Sequence, residues 1–275
     1  MRSAAESSAS HPSYPLIAAG DPPPYSEYHA HGRAPFLLVC DHASRQFPAA
    51  LARLGLSEEA TRRHIAWDIG AADLTRALAQ LFDAPALLAG YSRLVIDCNR
   101  ALTDPSSIVA ASDGEVIPGN RRLTSLEREQ RARSFFEPYH AAIALKLDEL
   151  RRRRLVPALV SVHSFTPLMG SEKRPWHVGV LWDRDARIAV PLLERLRRVQ
   201  GLVVGDNLPY SGRHPADYTV ARHAESARLP HVCLEIRQDE LESAADVTRW
   251  AQIIVQALGP ILSEPALHRN GPGGV

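Results

Sequence analysis

Short runs rich in valine, leucine and isoleucine recur along this chain, separated by longer stretches of helical period, and that alternation limits the fold more than any other feature. Continuous apolar runs with no alternation suit strands buried on both faces, and such strands need helices above and below them. The runs are Phe36 to Cys40, Pro85 to Ala89, Arg93 to Asp97, Ala158 to Val162, Val178 to Trp182, Leu202 to Val204 and His231 to Ile236. They predict an α/β fold of three layers, with a mostly parallel or mixed central sheet and helices on both faces. Ala71 to Phe82 reads as one helix, and Thr124 with Glu127 forms a capping box opening a long run to Arg154. Pro138 is expected to split or kink that run. Val247, Trp250, Ile254 and Leu258 form one stripe of a last helix from Ser243 to Leu258. These stripes are core.

The chain of 275 residues, 45% hydrophobic and 23% charged, can bury a substantial core. Residues 1–34 hold much Ser, Pro and His and little periodic pattern, which reads as a mobile N-terminal arm; 264–275 reads as a flexible tail. Residues 35–263 between them contain no linker and no repeat, so one catalytic domain is expected. A net charge of +1 argues against a dedicated binder of nucleic acid or of an anionic membrane. All basic residues but Lys146 and Lys173 are arginine, and Arg151 to Arg154 read as a solvated helix end. Cys40, Cys98 and Cys233 show no CxxC spacing and read as reduced core thiols. No secretory signal opens the chain and no apolar run reaches the roughly 18 residues of a membrane span. A cytoplasmic protein is expected.

Polar residues gather where the apolar runs end. Asp41 and His42 follow the first run, Asn99 and Arg100 follow Arg93 to Asp97, His163 follows Val162, and Glu235 lies near the end of the last. In a parallel sheet these ends share one edge, where open α/β sheets bind ligands. His42 and His163, with a carboxylate such as Asp68 or Asp41, could hold Zn²⁺ and leave a position for water. Glu235 is the candidate base, and Arg100 or Arg93 could bind a substrate carboxylate or an oxyanion.

Each of these residues also has a structural reading. A histidine at a strand end is often only hydrogen-bonded, Asp97 can anchor a turn or orient Arg100, and Arg222 and His223 suit a helix surface as well as a pocket. Glu235 is harder to dismiss, because a buried carboxylate without a partner is costly. The GxSxG, HExxH, Walker and GxGxxG motifs are all absent.

At these positions the chain resembles the N-formylglutamate amidohydrolase family, in its divergent bacterial branch. The likeness rests on Cys40-Asp41-His42-Ala43-Ser44 with Pro48, on His64 to Ala71, on Ser92-Arg93 through Asp97-Cys98-Asn99-Arg100, and on His163-Ser164-Phe165. Asp206 to Gly212, Arg222-His223 and Leu234-Glu235-Ile236-Arg237 continue it. The resemblance implies a zinc-carboxypeptidase-like (phosphorylase/hydrolase-like) fold and hydrolysis of N-formyl-L-glutamate to formate and glutamate, a late step of histidine degradation. It also implies an Asn99-Arg100 pair against the substrate carboxylate and Glu235 as general base. Where carboxypeptidases use His-x-x-Glu, Arg45 stands three positions after His42 and cannot bind a cation. The resemblance points to Asp68 as the missing ligand, with Asp41 and His223 in reserve.

The resulting expectation is a metal-dependent amidohydrolase. Zn²⁺ or another divalent metal is held by His42, Asp68 and His163, and Glu235 acts as base. Arg93, Asn99, Arg100, Arg222 and His223 are expected around a small N-acyl amino acid. The rivals are an amidase of other N-acyl specificity and a catalytically silent binder of an acidic amino acid or peptide. No nucleic-acid or membrane partner is expected, and the oligomeric state is open.

Overall fold

A computed structural model describes residues 14–153, 156–213 and 217–269. Residues 1–13 of the expected arm, Arg154 at the end of the long helical run, and 270–275 of the expected tail lie outside the described residues. The central sheet has seven strands: β1 (Tyr25–Tyr28), β2 (Phe36–Cys40), β3 (Ala86–Ala89), β6 (Ala158–Phe165), β9 (Val178–Leu181), β10 (Val204–Asp206) and β11 (His231–Arg237). Their spatial order is β1-β3-β2-β6-β11-β9-β10. The four strands from β3 to β11 are mutually parallel, β1 runs against β3, and β9 with β10 runs against β11. Two small hairpins stand apart, β4 with β5 (Ala111–Ser112, Glu115–Val116) and β7 with β8 (Leu168–Met169, Glu172–Lys173).

Helices cover both faces, as the unbroken apolar strands require. Alternate residues of β2 point to opposite sides: Phe36, Leu38 and Cys40 join the core under α1 (Ala71–Phe82), α4 (Ala186–Leu196) and α6 (Ala244–Leu262). Leu37 and Val39 join the core of the other face, with Tyr139, Ile143 and Leu147 of α3 (Glu137–Arg152). The short helices α2 (Ser125–Arg131) and α5 (Tyr218–Val220) complete the set. Capping boxes at Thr124/Glu127 and Ser243/Asp246 open α2 and α6. Pro138 does not split the long run: a π-helical turn, Ala132–Phe136, precedes it, and the wider turn accommodates a residue that cannot donate a backbone hydrogen bond.

Four expectations are corrected. Arg93 to Asp97 is a buried turn and not a strand: the Leu94 carbonyl accepts from Asn120 Nδ2 at 2.8 Å and the Val95 carbonyl from Arg131 Nη1 at 2.9 Å, so side chains do the work of a ladder. Tyr25–Tyr28, inside the stretch read as an arm, pairs along β3 as a strand of the central sheet. Leu267 and His268, inside the stretch read as a tail, are buried on a short 3₁₀ turn, and His268 Nδ1 meets the Val156 carbonyl at 2.9 Å. The run at Leu202 forms its strand two residues later, at Val204–Asp206.

Candidate active site and metal centre

The parallel strands carry the polar residues to one edge. Glu235 on β11 lies directly opposite His163 on β6, and Ser161 is in register with Val39 of β2, which sets Asp41 and His42 level with His163. His42, Asp68 and His163 are all buried, and one ligand atom from each lies within 4.8 Å of the others. Asp68 arrives on the loop before α1, tied down by its backbone N–H donating to the His42 carbonyl at 2.9 Å.

The two rings share one orientation logic. His42 Nε2 sits 2.7 Å from Asp97 Oδ1, and His163 Nε2 sits 3.2 Å from Asp41 Oδ2, while both Nδ1 atoms face Asp68 Oδ2 at 3.4 and 2.8 Å. A carboxylate on the far nitrogen fixes the tautomer that offers the near nitrogen as a ligand, the usual arrangement behind a histidine-bound metal. Those carboxylates are themselves fixed. Arg93 Nη2 and the Asn99 N–H donate to Asp97, and the Tyr139 and Thr219 hydroxyls donate to Asp41.

Burial opposes charge at every member of this cluster, yet mutual attraction outweighs it. Asp68 is held far below the ordinary carboxylate range by the two histidines, and Asp97 by Arg93 and His42. Both imidazoles are correspondingly raised, His42 by Asp97 and Asp68 and His163 by Asp41 and Asp68. A divalent cation held by the two Nδ1 atoms and Asp68 would supply the positive charge that ring protons otherwise provide. Two imidazoles and one carboxylate, each ring oriented from behind, therefore fit a catalytic metal with an open position.

Glu235 behaves differently. It is 7% exposed, its Oε2 has no hydrogen-bond partner among the described residues, and burial pushes its carboxyl up to about 8, with Asp68 and Asp217 adding to the effect. It opens onto a cavity of about 340 Å³ that the metal cluster, Asn99 and Arg100 also line. Asn99 is anchored by the Thr219 N–H donating to Oδ1 at 2.9 Å.

Not every expected residue reaches this cavity. Arg93 lines it, but it is already engaged by Asp97 at 2.6 Å and approaches Asp68 at 3.7 Å, so much of its charge serves the metal cluster. Arg222 is exposed on a π-helical turn and is not among the lining residues. His223 is turned away as well, its Nε2 lying 2.9 Å from His140 Nδ1, and burial with that neighbour lowers its pKa to about 3. All three cysteines are free and buried, and burial raises the Cys98 thiol well above its ordinary value, against a nucleophilic role. Sequence reasoning missed Tyr210 and Asp217, which also line the cavity. Neither follows an apolar run, the signal that found His42, Asn99, Arg100 and His163.

A mixed α/β sheet whose cavity pairs a buried glutamate with an imidazole–carboxylate cluster suits hydrolysis, and the class concerned is the hydrolases acting on amide bonds. The sequence model of the N-formylglutamate amidohydrolase family matches residues 34–241, and the chain belongs to that family. Among solved structures, a gene product of Agrobacterium tumefaciens is similar at 31% identity and a TM-score of 0.87, covering 90% of this chain and 98% of that one. An N-formylglutamate amidohydrolase from Ralstonia eutropha is similar in fold, with 19% identity, a TM-score of 0.70, and coverage of 88% of this chain and 98% of that one. Comparison with curated proteins gives no match.

Proposed function

We propose that this chain is a metal-dependent amidohydrolase that cleaves N-formyl-L-glutamate to formate and L-glutamate. The observation that carries this reading is the convergence of His42 Nδ1, His163 Nδ1 and Asp68 Oδ2 beside Glu235, whose Oε2 has no partner among the described residues. His42, Asp68 and His163 would hold Zn²⁺, which when bound polarises an amide carbonyl and acidifies water.

The protein's own groups supply the rest. Glu235 takes the proton of the attacking water at its unpaired oxygen, then returns it to the leaving amine nitrogen as the C–N bond breaks. Arg100 and the amide nitrogen of Asn99 bind a substrate carboxylate, the guanidinium offering a planar fork of donors. Asp97 and Asp41 keep the two imidazoles oriented through the cycle. A late step of histidine degradation in the cytoplasm is the setting we assign, and three reduced thiols suit that compartment. Among the described residues, no helix is long and apolar enough to cross a membrane.

The test is the metal content of untagged protein, beside His42→Ala and His163→Ala, with a panel of N-formyl and N-acetyl amino acids. Wild-type protein should carry about one zinc per chain, both variants should lose it while folded, and N-formylglutamate should be turned over fastest. A folded wild type that takes up no metal would overturn the mechanism.

A further inference from the structure

The loop Asn207–Gly212 is seated on the sheet with little freedom. A Cβ at Gly179 or Gly205 would stand 2.2 or 2.4 Å from the Leu208 carbonyl oxygen, and one at Gly212 would stand 2.6 Å from the Trp182 nitrogen. Only glycine at these places lets the loop lie directly on β9 and β10. Asn207 Oδ1 then accepts from the Trp182 and Gly212 N–H groups at 3.1 and 2.9 Å. This loop delivers Tyr210 and Ser211 to the cavity, and Tyr210 is the larger of the two.

Arg174 holds that ring from behind. Its guanidinium carbon lies 4.9 Å from the ring centre, and Nη1 donates to the phenolic oxygen at 2.9 Å. Arg174 is only 9% exposed and, among the described residues, has no carboxylate within ion-pair distance. A buried cation without a counter-charge is costly. Because the Tyr210 oxygen accepts from Arg174, its own O–H is left to donate, and among the described residues no acceptor takes it. The neighbouring cation polarises that O–H as a donor, while burial and the charge of Glu235 hold the phenol's pKa above its ordinary value. Glu235 is close enough for its charge to bear on the phenol.

We infer that Tyr210 is a catalytic residue that donates a hydrogen bond to the oxygen of the scissile amide as negative charge develops there, and that Arg174 is the positioning residue that aims and strengthens it. The inference rests on the proposed hydrolysis. A donor matched to charge that appears only in the transition state raises kcat and leaves KM nearly alone.

The experiment measures kcat and KM of the metal-loaded full chain for Tyr210→Phe, Arg174→Met and Arg174→Lys on the panel of N-acyl amino acids. Tyr210→Phe should lower kcat roughly a hundredfold with KM within about twofold and metal content unchanged. Arg174→Met should lower kcat by a smaller factor, and Arg174→Lys, which restores a charged donor, should recover part of it. Unchanged kcat in Tyr210→Phe overturns the inference, as does a rise in KM alone, which would make Tyr210 a ground-state binding group. If Arg174→Met does not fold, Tyr210→Phe carries the test alone. A wild type inert on N-formylglutamate but active on another N-acyl amino acid removes only the substrate reading, and Tyr210 is then tested on that substrate. Inactivity on every member overturns both.

Discussion

Replacing Glu235 by Gln should do two opposite things: remove turnover and stabilise the metal-free protein at alkaline pH. In the unfolded chain this carboxyl ionises near 4.5, whereas burial in the folded protein raises it to about 8. The folded state therefore binds the proton more tightly. The stability this contributes is whole below pH 4.5 and is lost as pH rises through about 8. Under about 1 kcal/mol is lost by pH 5, roughly 3 by pH 7, and about 5 well above pH 8. Gln cannot ionise, so its cost is independent of pH. In protein stripped by chelator, the melting temperature of the variant relative to wild type should rise between pH 5 and 7 by roughly 5–10 °C for a domain of this size, the two pH values differing by about 2.5 kcal/mol. Adding the metal should narrow the gap, since a cation beside Glu235 favours its ionised form. Turnover by the loaded variant should fall roughly a hundredfold or more. Melting profiles that stay parallel across this range would refute the assigned burial of charge, and surviving turnover would refute the role as base.

Two further substitutions probe the supports of the site. Asp97→Asn keeps the shape but weakens the hold on His42 Nε2, so metal affinity in a chelator competition should drop roughly 10- to 100-fold; unchanged affinity would make Asp97 a turn anchor only. Arg100→Lys keeps the charge and loses the fork, so KM for the acidic substrate should rise with the fold intact, and an unchanged KM would assign Arg100 a structural role.

The layered architecture was legible because unbroken apolar runs such as Phe36–Cys40 leave few ways to bury both faces of a strand. Strand direction was not. Val178–Leu181 runs against β11 and parallel to β10, and no local pattern encodes that choice. The misread turn at Arg93–Asp97 has a definite cause: Leu94, Val95 and Ile96 are as buried as strand residues, but Asn120 and Arg131, distant in the chain, take up the Leu94 and Val95 carbonyls. Tyr25–Tyr28 escaped notice for the converse reason. An edge strand with one covered side needs no apolar run, and its burial is slight.

Within the site, residues at the ends of apolar runs were found, but which carboxylate serves which histidine was not legible, because the pairing is long-range. Asp41 and His42 sit on the turn just after β2, and neither carries the carboxylate or ring that the other uses. Asp41 turns toward Tyr139 on α3 and meets the other histidine, His163, at 3.2 Å. His42 takes its carboxylate from Asp97, 55 residues along the chain, at 2.7 Å. The pairing is thus crossed relative to sequence order. Asp68 can face both Nδ1 atoms only because each Nε2 is claimed by a different carboxylate from a different segment. Removing Asp97 should therefore disturb the His42 ring alone, whereas on loss of Asp41 the His163 Nε2 still has the Ser161 hydroxyl at 3.1 Å.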